Sequence, residues 1–280
     1  MDQLLEMNHN DLAQPLLSII IATYNSAESL QTCLDSIRAQ TYSAIEIIIV
    51  DGASSDTTVE VIRRNTDLLE RWISEPDDGI YDAWNKALGL VAGDWVYFLG
   101  SDDALHCPEA IERAMQRLRH VPAGTLIAYG CVNYVFPDGR IHKLGKVWDD
   151  VKGKMYSQMA LPHQGVFHAN ELFVRFGKFD SHLQIAGDYK IIMQSLAVSA
   201  PKFLGDIIIA DQHAGGKSGL RENRTIALSE FRTVQRELGY PVSVRWAWAY
   251  LKGIVWLALA NSRRAISMLA VRRTTEKDSF

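Results

Sequence analysis

A chain of 280 residues with 48% hydrophobic content can bury one large α/β core, with or without an appendage, and is no disordered polymer. Its formal net charge of −4 excludes a whole-protein basic field for nucleic acid. Three scattered cysteines, Cys33, Cys107 and Cys131, show no CxxC spacing, which argues against a disulfide framework and a zinc site and fits a reducing cytosol.

Residues 1–15 read as a loose leader ending at Pro15. They carry acids and no basic stretch before an apolar run, so they are no signal peptide. No uninterrupted apolar run reaches the roughly 20 residues that span a bilayer. Leu17–Ala22 is a continuous apolar run, as in a strand buried on both faces. Thr23-Tyr24-Asn25 follow as a loop, and Ser26 is placed to cap a helix whose stripe is Leu30, Cys33, Leu34 and Ile37. Ile45–Val50 is a second buried strand. It ends in a polar loop, Asp51 to Asp56, with Asp56 as the next cap. Arg71–Glu75 reads as a short strand, and residues 80–91 as a helix with Trp84, Ala87, Leu88 and Val91 on one face. Gly93-Asp94 turns into the strand Trp95–Leu99, and a helix over Cys107–Leu118 follows. Downstream, Thr125–Cys131 and Val132–Phe136 read as two strands, with Ile141–Gly145 as a hairpin partner. Residues 146–165 lack a pattern. Helices are expected at Asp188–Val198 and Thr225–Leu238, with a strand over Lys202–Ala210 and a loop at Gly215-Gly216-Lys217-Ser218.

Alternating strands and helices give a parallel sheet with right-handed crossovers. Ligands then bind beyond the carboxyl ends of the strands. The loops there are Thr23-Tyr24-Asn25, Asp51–Asp56 and Gly100-Ser101-Asp102-Asp103. Adjacent carboxylates at a strand end suit a hard divalent cation, or else the dipole of the helix that follows. Asp51 suits a base or ribose contact, an Asx-turn into Gly52, or a phosphohydrolase nucleophile. The last would want a second acid where Ala53 stands. No GxGxxG or GxxxxGK[ST] occurs, so phosphates must be held by metal and loops.

The stretch from Ser18 to Thr58, followed by Ser74 to Asp103, resembles glycosyltransferase family 2 over roughly residues 16–105. Leu161–His168, Ala186–Ile191 and Gly215–Ser218 resemble later landmarks, carrying the likeness to about residue 240. The resemblance implies the GT-A fold, with a mainly parallel central sheet flanked by helices, and usually inverting transfer from a nucleotide-diphospho-sugar to an acceptor hydroxyl. It implies that Thr23 and Asn25 lie around the nucleotide, Asp51 contacts the base, and Asp82, Asn85 and Lys86 line the donor site. The Asp102-Asp103 pair matches the metal-binding D-x-D motif, for Mn²⁺ or Mg²⁺, with Gly100 at the pattern's first position and S-D-D remaining. Asp103 is favoured as the ligand, with Asp102 reaching the ribose or sugar. Asp188 matches the family's catalytic base, against an N-cap role; Asp180 and Asp206 are weaker candidates. His163 is either structural or a substrate contact. Residues 215–218, with Lys217 or Arg221, either close over the diphosphate or form a surface turn.

The expected organisation is a leader over 1–15, a transferase domain over 16–240 and a helical amphipathic tail over 241–280. Within the domain, 16–105 bind the nucleotide and 106–240 the acceptor. From Leu238 to Thr275 there is no acid, while Arg245, Lys252, Arg263, Arg264, Arg272 and Arg273 are interleaved with tryptophans. Such a segment favours an anionic membrane surface, or else packs on the domain or a second subunit. The expected enzyme is cytoplasmic and peripheral to the membrane. It would use a UDP-sugar by preference, act on a glycan or lipid-linked saccharide for a surface polysaccharide, and bind no nucleic acid. A non-catalytic sugar-nucleotide-binding protein and a metal-dependent phosphohydrolase are the alternatives.

Overall fold

The computed structural model describes residues 14–215 and 223–255. The first half runs β1 (Leu17–Thr23), α1 (Ala27–Arg38), β2 (Ile45–Asp51), α2 (Thr58–Arg64), β3 (Arg71–Ser74), α3 (Ile80–Leu88) and β4 (Trp95–Phe98). Then follow β5 (Ala104–Leu105), α4 (Ala110–Leu118), β6 (Ile127–Val135), β7 (Ile141–Leu144), α5 (Trp148–Val151), β8 (Val166–Ala169) and α6 (Asn170–Phe176). The described elements end with α7 (Gly187–Ser195), β9 (Lys202–His213), α8 (Arg224–Glu237) and helical residues 244–255.

One sheet carries these strands in the order β3-β2-β1-β4-β8-β6-β9-β5, with β7 paired to β6. The β3-β2-β1-β4 run is parallel. Beyond it β8 lies antiparallel to both β4 and β6, while β6 and β9 are parallel. The order reverses at β1, with β2 on one side and β4 on the other. That opens a crevice at the carboxyl ends of these strands.

Successive residues face opposite sides of a strand. In β1, Ile19 and Ile21 pack in a core with Leu30, Leu34 and Met115, while Ile20 packs with Trp84, Phe98 and Tyr189. Both faces are covered, which is why β1 and β2 are unbroken apolar runs.

Several boundaries differ from expectation. β6 is one strand, because nothing between Cys131 and Val132 turns the chain; register shifts against β9 absorb the irregularity. Helix α4 begins at Ala110, after β5. Asp102 and Asp103 therefore lie well before its first turn, and a dipole that fades within one turn does not account for them. Ser26 occupies an N-cap position without a side-chain cap bond, its hydroxyl donating to the Tyr24 carbonyl instead. Asp56 accepts from the Thr58 N–H at 3.0 Å, one residue ahead of the N-cap Thr57. Ala186 is the N-cap of α7, so Asp188 lies in its first turn.

Candidate active site

A cavity of about 780 Å³ opens at the carboxyl ends of β1 and β4, walled by the start of α3, the start of α7 and the end of β9. Thr23, Asn25, Asp102, Asp103, His163 and Asp188 are all among its lining residues.

The β1 and β2 loops are stapled together. The Asn25 N–H donates to Ser54 Oγ at 2.8 Å, and Asn25 Oδ1 accepts from the Ser55 N–H at 2.9 Å. Asn25 and Ala53 hold positive φ, 49° and 58°, a conformation uncommon outside glycine, in which asparagine is enriched. Asp51 lies beneath this staple, fully buried and outside the cavity lining. Its carboxylate accepts from the Ser54 N–H at 3.0 Å and the Ser74 hydroxyl at 2.6 Å. A nucleobase N–H reaches it only if the covering loop moves, and the same burial leaves no approach for a phosphohydrolase nucleophile. Thr23 is 4% exposed, and its Oγ1 has no partner among the described residues. Buried hydroxyls are normally hydrogen-bonded, and this one borders the cavity with its hydrogen-bonding capacity unused among the described residues.

Asp103 is 3% exposed and accepts from the His213 N–H at 2.8 Å; Asp102 is exposed. A Cβ built on Gly100 would lie 2.5 Å from Asp103 Oδ2, 2.9 Å from Asp102 Oδ1 and 3.1 Å from Gln164 Nε2. The two carboxylates thus converge over the glycine, and any side chain there would push them apart. Burial first, and the Asp102 charge second, push the Asp103 carboxyl up to about 7. The other acids on the cavity wall are Glu28, Asp56, Asp77 and Asp188; no lysine or arginine appears among the described lining residues. A divalent cation fits this arrangement, because it supplies the missing positive charge. No group of three or more His, Cys, Asp or Glu side chains forms a metal-ligand cluster among the described residues.

Asp188 reaches the cavity from α7. Tyr81 donates to the Ile185 carbonyl at 2.6 Å, with Asp188 Oδ1 3.2 Å from the same hydroxyl. Burial and the Asp188 charge hold the Tyr81 phenol well above its usual range, so it remains a donor. The weaker base candidates lie elsewhere. Asp180 pairs with Lys190 at 2.8 Å and Asp206 with Lys143 at 2.9 Å, and neither lines the cavity.

Asp82, Asn85 and Lys86 are also outside the lining. Lys86 binds Glu75 at 3.0 Å and Asp82 at 3.3 Å, while both ends of the Asn85 amide bond the Phe179 backbone at 2.9 Å. These contacts fasten α3. His163 stacks on Trp84 with ring centroids 5.1 Å apart, and burial lowers its pKa. Sequence reading missed Tyr81, Gln164 and His213. Tyr81 adjoins a stripe already explained as core, and the polar run Asp211-Gln212-His213 hid the last three residues of β9. Lys217 and Arg221 lie outside the described residues.

The family model described as "Glycosyl transferase family 2" matches residues 18–183. An "Uncharacterized glycosyltransferase" of Mycobacterium tuberculosis is 29% identical over 252 residues, 89% of this chain and 94% of the relative. A "PGL/p-HBAD biosynthesis glycosyltransferase" of the same species is 30% identical over 213 residues, 74% of this chain and 80% of the relative. Among solved structures, S. aureus TarS 1-349 in complex with UDP-GlcNAc has a TM-score of 0.64 at 17% identity, covering 85% of this chain and 71% of that one. A mannosyltransferase from Pyrobaculum calidifontis in complex with GDP-Man and Mn²⁺ has a TM-score of 0.64 at 18% identity, covering 94% and 80%.

Proposed function

The chain belongs to glycosyl transferase family 2, has the GT-A fold and is a glycosyltransferase; on that premise we propose an inverting enzyme that moves a sugar from a nucleotide-diphospho-sugar to a hydroxyl of a lipid-linked saccharide. A UDP-sugar is the favoured donor, and a surface polysaccharide the favoured destination. The observation that carries the reading is the make-up of one cavity. Around a single space stand the Thr23 hydroxyl at the end of β1, unpartnered among the described residues, the converging Asp102-Asp103 pair in the loop after β4, and Asp188 on α7.

In this reading Thr23 and Asn25 hold the nucleoside end and Asp51 sets their loop. Asp102 and Asp103 would hold Mn²⁺ or Mg²⁺, which when bound would supply charge stabilisation for the leaving diphosphate. Asp188 accepts the acceptor's hydroxyl proton as the new C–O bond forms at the anomeric carbon and the bond to phosphate breaks. Residues 16–105 then serve the donor and 106–240 the acceptor. The relatives support a nucleotide-sugar donor: one neighbour holds UDP-GlcNAc, another GDP-Man with Mn²⁺. The test is calorimetric titration of UDP and GDP with and without Mn²⁺. Micromolar, metal-dependent binding of one nucleotide is expected. Binding of neither with metal present would sink the reading.

The acceptor side of the proposal draws on residues 244–255. One face of this helix is docked: Trp246 Nε1 donates to the Leu228 carbonyl at 2.7 Å and Gly253 is buried. The other carries Val244, Trp248, Leu251 and Val255, each more than half exposed, at i, i+4, i+7 and i+11 spacing. Lys252 lies over the Trp248 ring. Packing on the domain and an apolar outer face thus coexist, and the sequence after residue 255, basic and free of acids as far as Thr275, suits an anionic lipid surface. No helix among the described residues is long and apolar enough to cross a membrane. The protein is expected to float with vesicles containing phosphatidylglycerol and far less with neutral ones, and Trp248→Ser with Leu251→Ser is expected to release it. Equal flotation of the double variant would remove this surface from the proposal.

A further inference from the structure

Three consecutive backbone N–H groups, those of Gln184, Ile185 and Ala186, all donate to one carboxylate. Gln184 reaches Glu230 Oε1 at 2.8 Å; Ile185 and Ala186 both reach Oε2 at 2.9 Å. Glu230 stands on α8, more than forty residues along the chain. The segment it holds leads directly into α7, where Asp188 follows Ala186 by two positions. Gln184 and Ile185 themselves line the cavity. On its other side the segment is gripped by Tyr81, through the bond to the Ile185 carbonyl at 2.6 Å. Gly187 completes the fit, since a Cβ there would lie 2.8 Å from the Tyr81 ring.

We propose that Glu230 is a positioning residue for transfer: it fixes the 184–186 segment and so sets where Asp188 and the neighbouring cavity wall stand. This rests on the reading of Asp188 as the base. Adjacent N–H groups ahead of a helix form a concentrated patch of positive partial charge, which one carboxylate can satisfy with both oxygens. Charge-assisted bonds of this kind are about twice as strong as neutral ones. A backbone held by three of them has little freedom to displace the side chain two residues on. Misplacing a reacting group by about 1 Å can lower a rate about 10²-fold, so a residue that never touches substrate can act on the rate through this segment.

Glu230→Gln keeps the size but only one acceptor oxygen. Glu230→Asp keeps both oxygens but falls one methylene short. Rates would be read as release of UDP or GDP from UDP-glucose, UDP-N-acetylglucosamine and GDP-mannose, with Mn²⁺ and a membrane extract as acceptor. Glu230→Gln is expected to lower kcat by about 10- to 100-fold, with the KM for the donor and the Mn²⁺-dependent affinity for UDP or GDP within about twofold. The Asp variant should retain intermediate activity. Amides 184–186 should exchange with deuterium at least tenfold faster, with β1 and β4 as protected as before. The double variant with Asp188→Asn should be no slower than Asp188→Asn alone, because residues acting as a unit are not additive. Wild-type kcat in Glu230→Gln beside an inactive Asp188→Asn would overturn the positioning role and leave the base assignment standing. An active Asp188→Asn would remove the base assignment, and Glu230's action through it. Parallel loss of nucleotide affinity, melting temperature and rate in Glu230→Gln would reduce Glu230 to a structural residue.

Discussion

Asp188→Asn leaves Mn²⁺-dependent nucleotide binding intact and lowers transfer by about 10²–10⁴-fold, the usual contribution of a general base. The substitution is nearly isosteric. An amide oxygen at the Oδ1 position still accepts from the Tyr189 N–H, 2.7 Å away in the wild type, and still lies beside the Tyr81 hydroxyl. The start of α7 therefore keeps its local bonding. What disappears is the ability to take a proton at neutral pH. Calorimetry and single-turnover rates separate the two effects. Loss of binding together with transfer would mean that Asp188 holds the helix start rather than the acceptor proton. The alternative carboxylates make poor substitutes: Asp180 is committed to Lys190, and Asp206 sits outside the cavity beside Lys143.

Sequence revealed the parallel half of the sheet because its physics is local. β1, β2 and β4 are buried on both faces, so each is an unbroken apolar run, and the ligand-bearing loops follow from strand direction alone. β8 gave no such signal. His168 stands in the middle of it, fully buried, so the run Val166–Ala169 reads as neither continuous nor alternating. The acid pair was legible as a chemical oddity, but the reason for Gly100 was not. Only the folded chain shows both carboxylates leaning over its Cα. Asn85 and Lys86 were legible as parts of a motif, but their partners, the Phe179 backbone and Glu75, were not, because those contacts are set by tertiary packing. Glu230 had no signature at all, because its partners are backbone N–H groups and backbone leaves no mark in composition.

Asp103→Asn abolishes metal-dependent nucleotide binding and, in metal-free protein, removes a pH dependence of stability. The two effects share one origin. Asp103 is buried beside Asp102, which raises its carboxyl to about 7, against about 3.9 in an unfolded chain. Between those values the folded state binds more protons than the unfolded state. Stability of the metal-free wild type therefore falls as pH rises from about 4 to about 7. Asparagine cannot ionise, so the variant should melt at a higher temperature than wild type at pH 8 under chelation, with a flatter pH profile. Mn²⁺ with UDP or GDP should restore the wild type, since a ligand that binds only the folded state stabilises it by mass action, and should do nothing for the variant. Titrations would show at least a hundredfold weaker nucleotide affinity in Asp103→Asn with metal present. Unchanged affinity would move the metal away from this residue. A variant that loses affinity yet gains no metal-free stability would show that Asp103 is not strained by its surroundings. The expected pairing, higher stability with lost binding, would identify the buried carboxylate as a site held in an unfavourable state until a cation arrives.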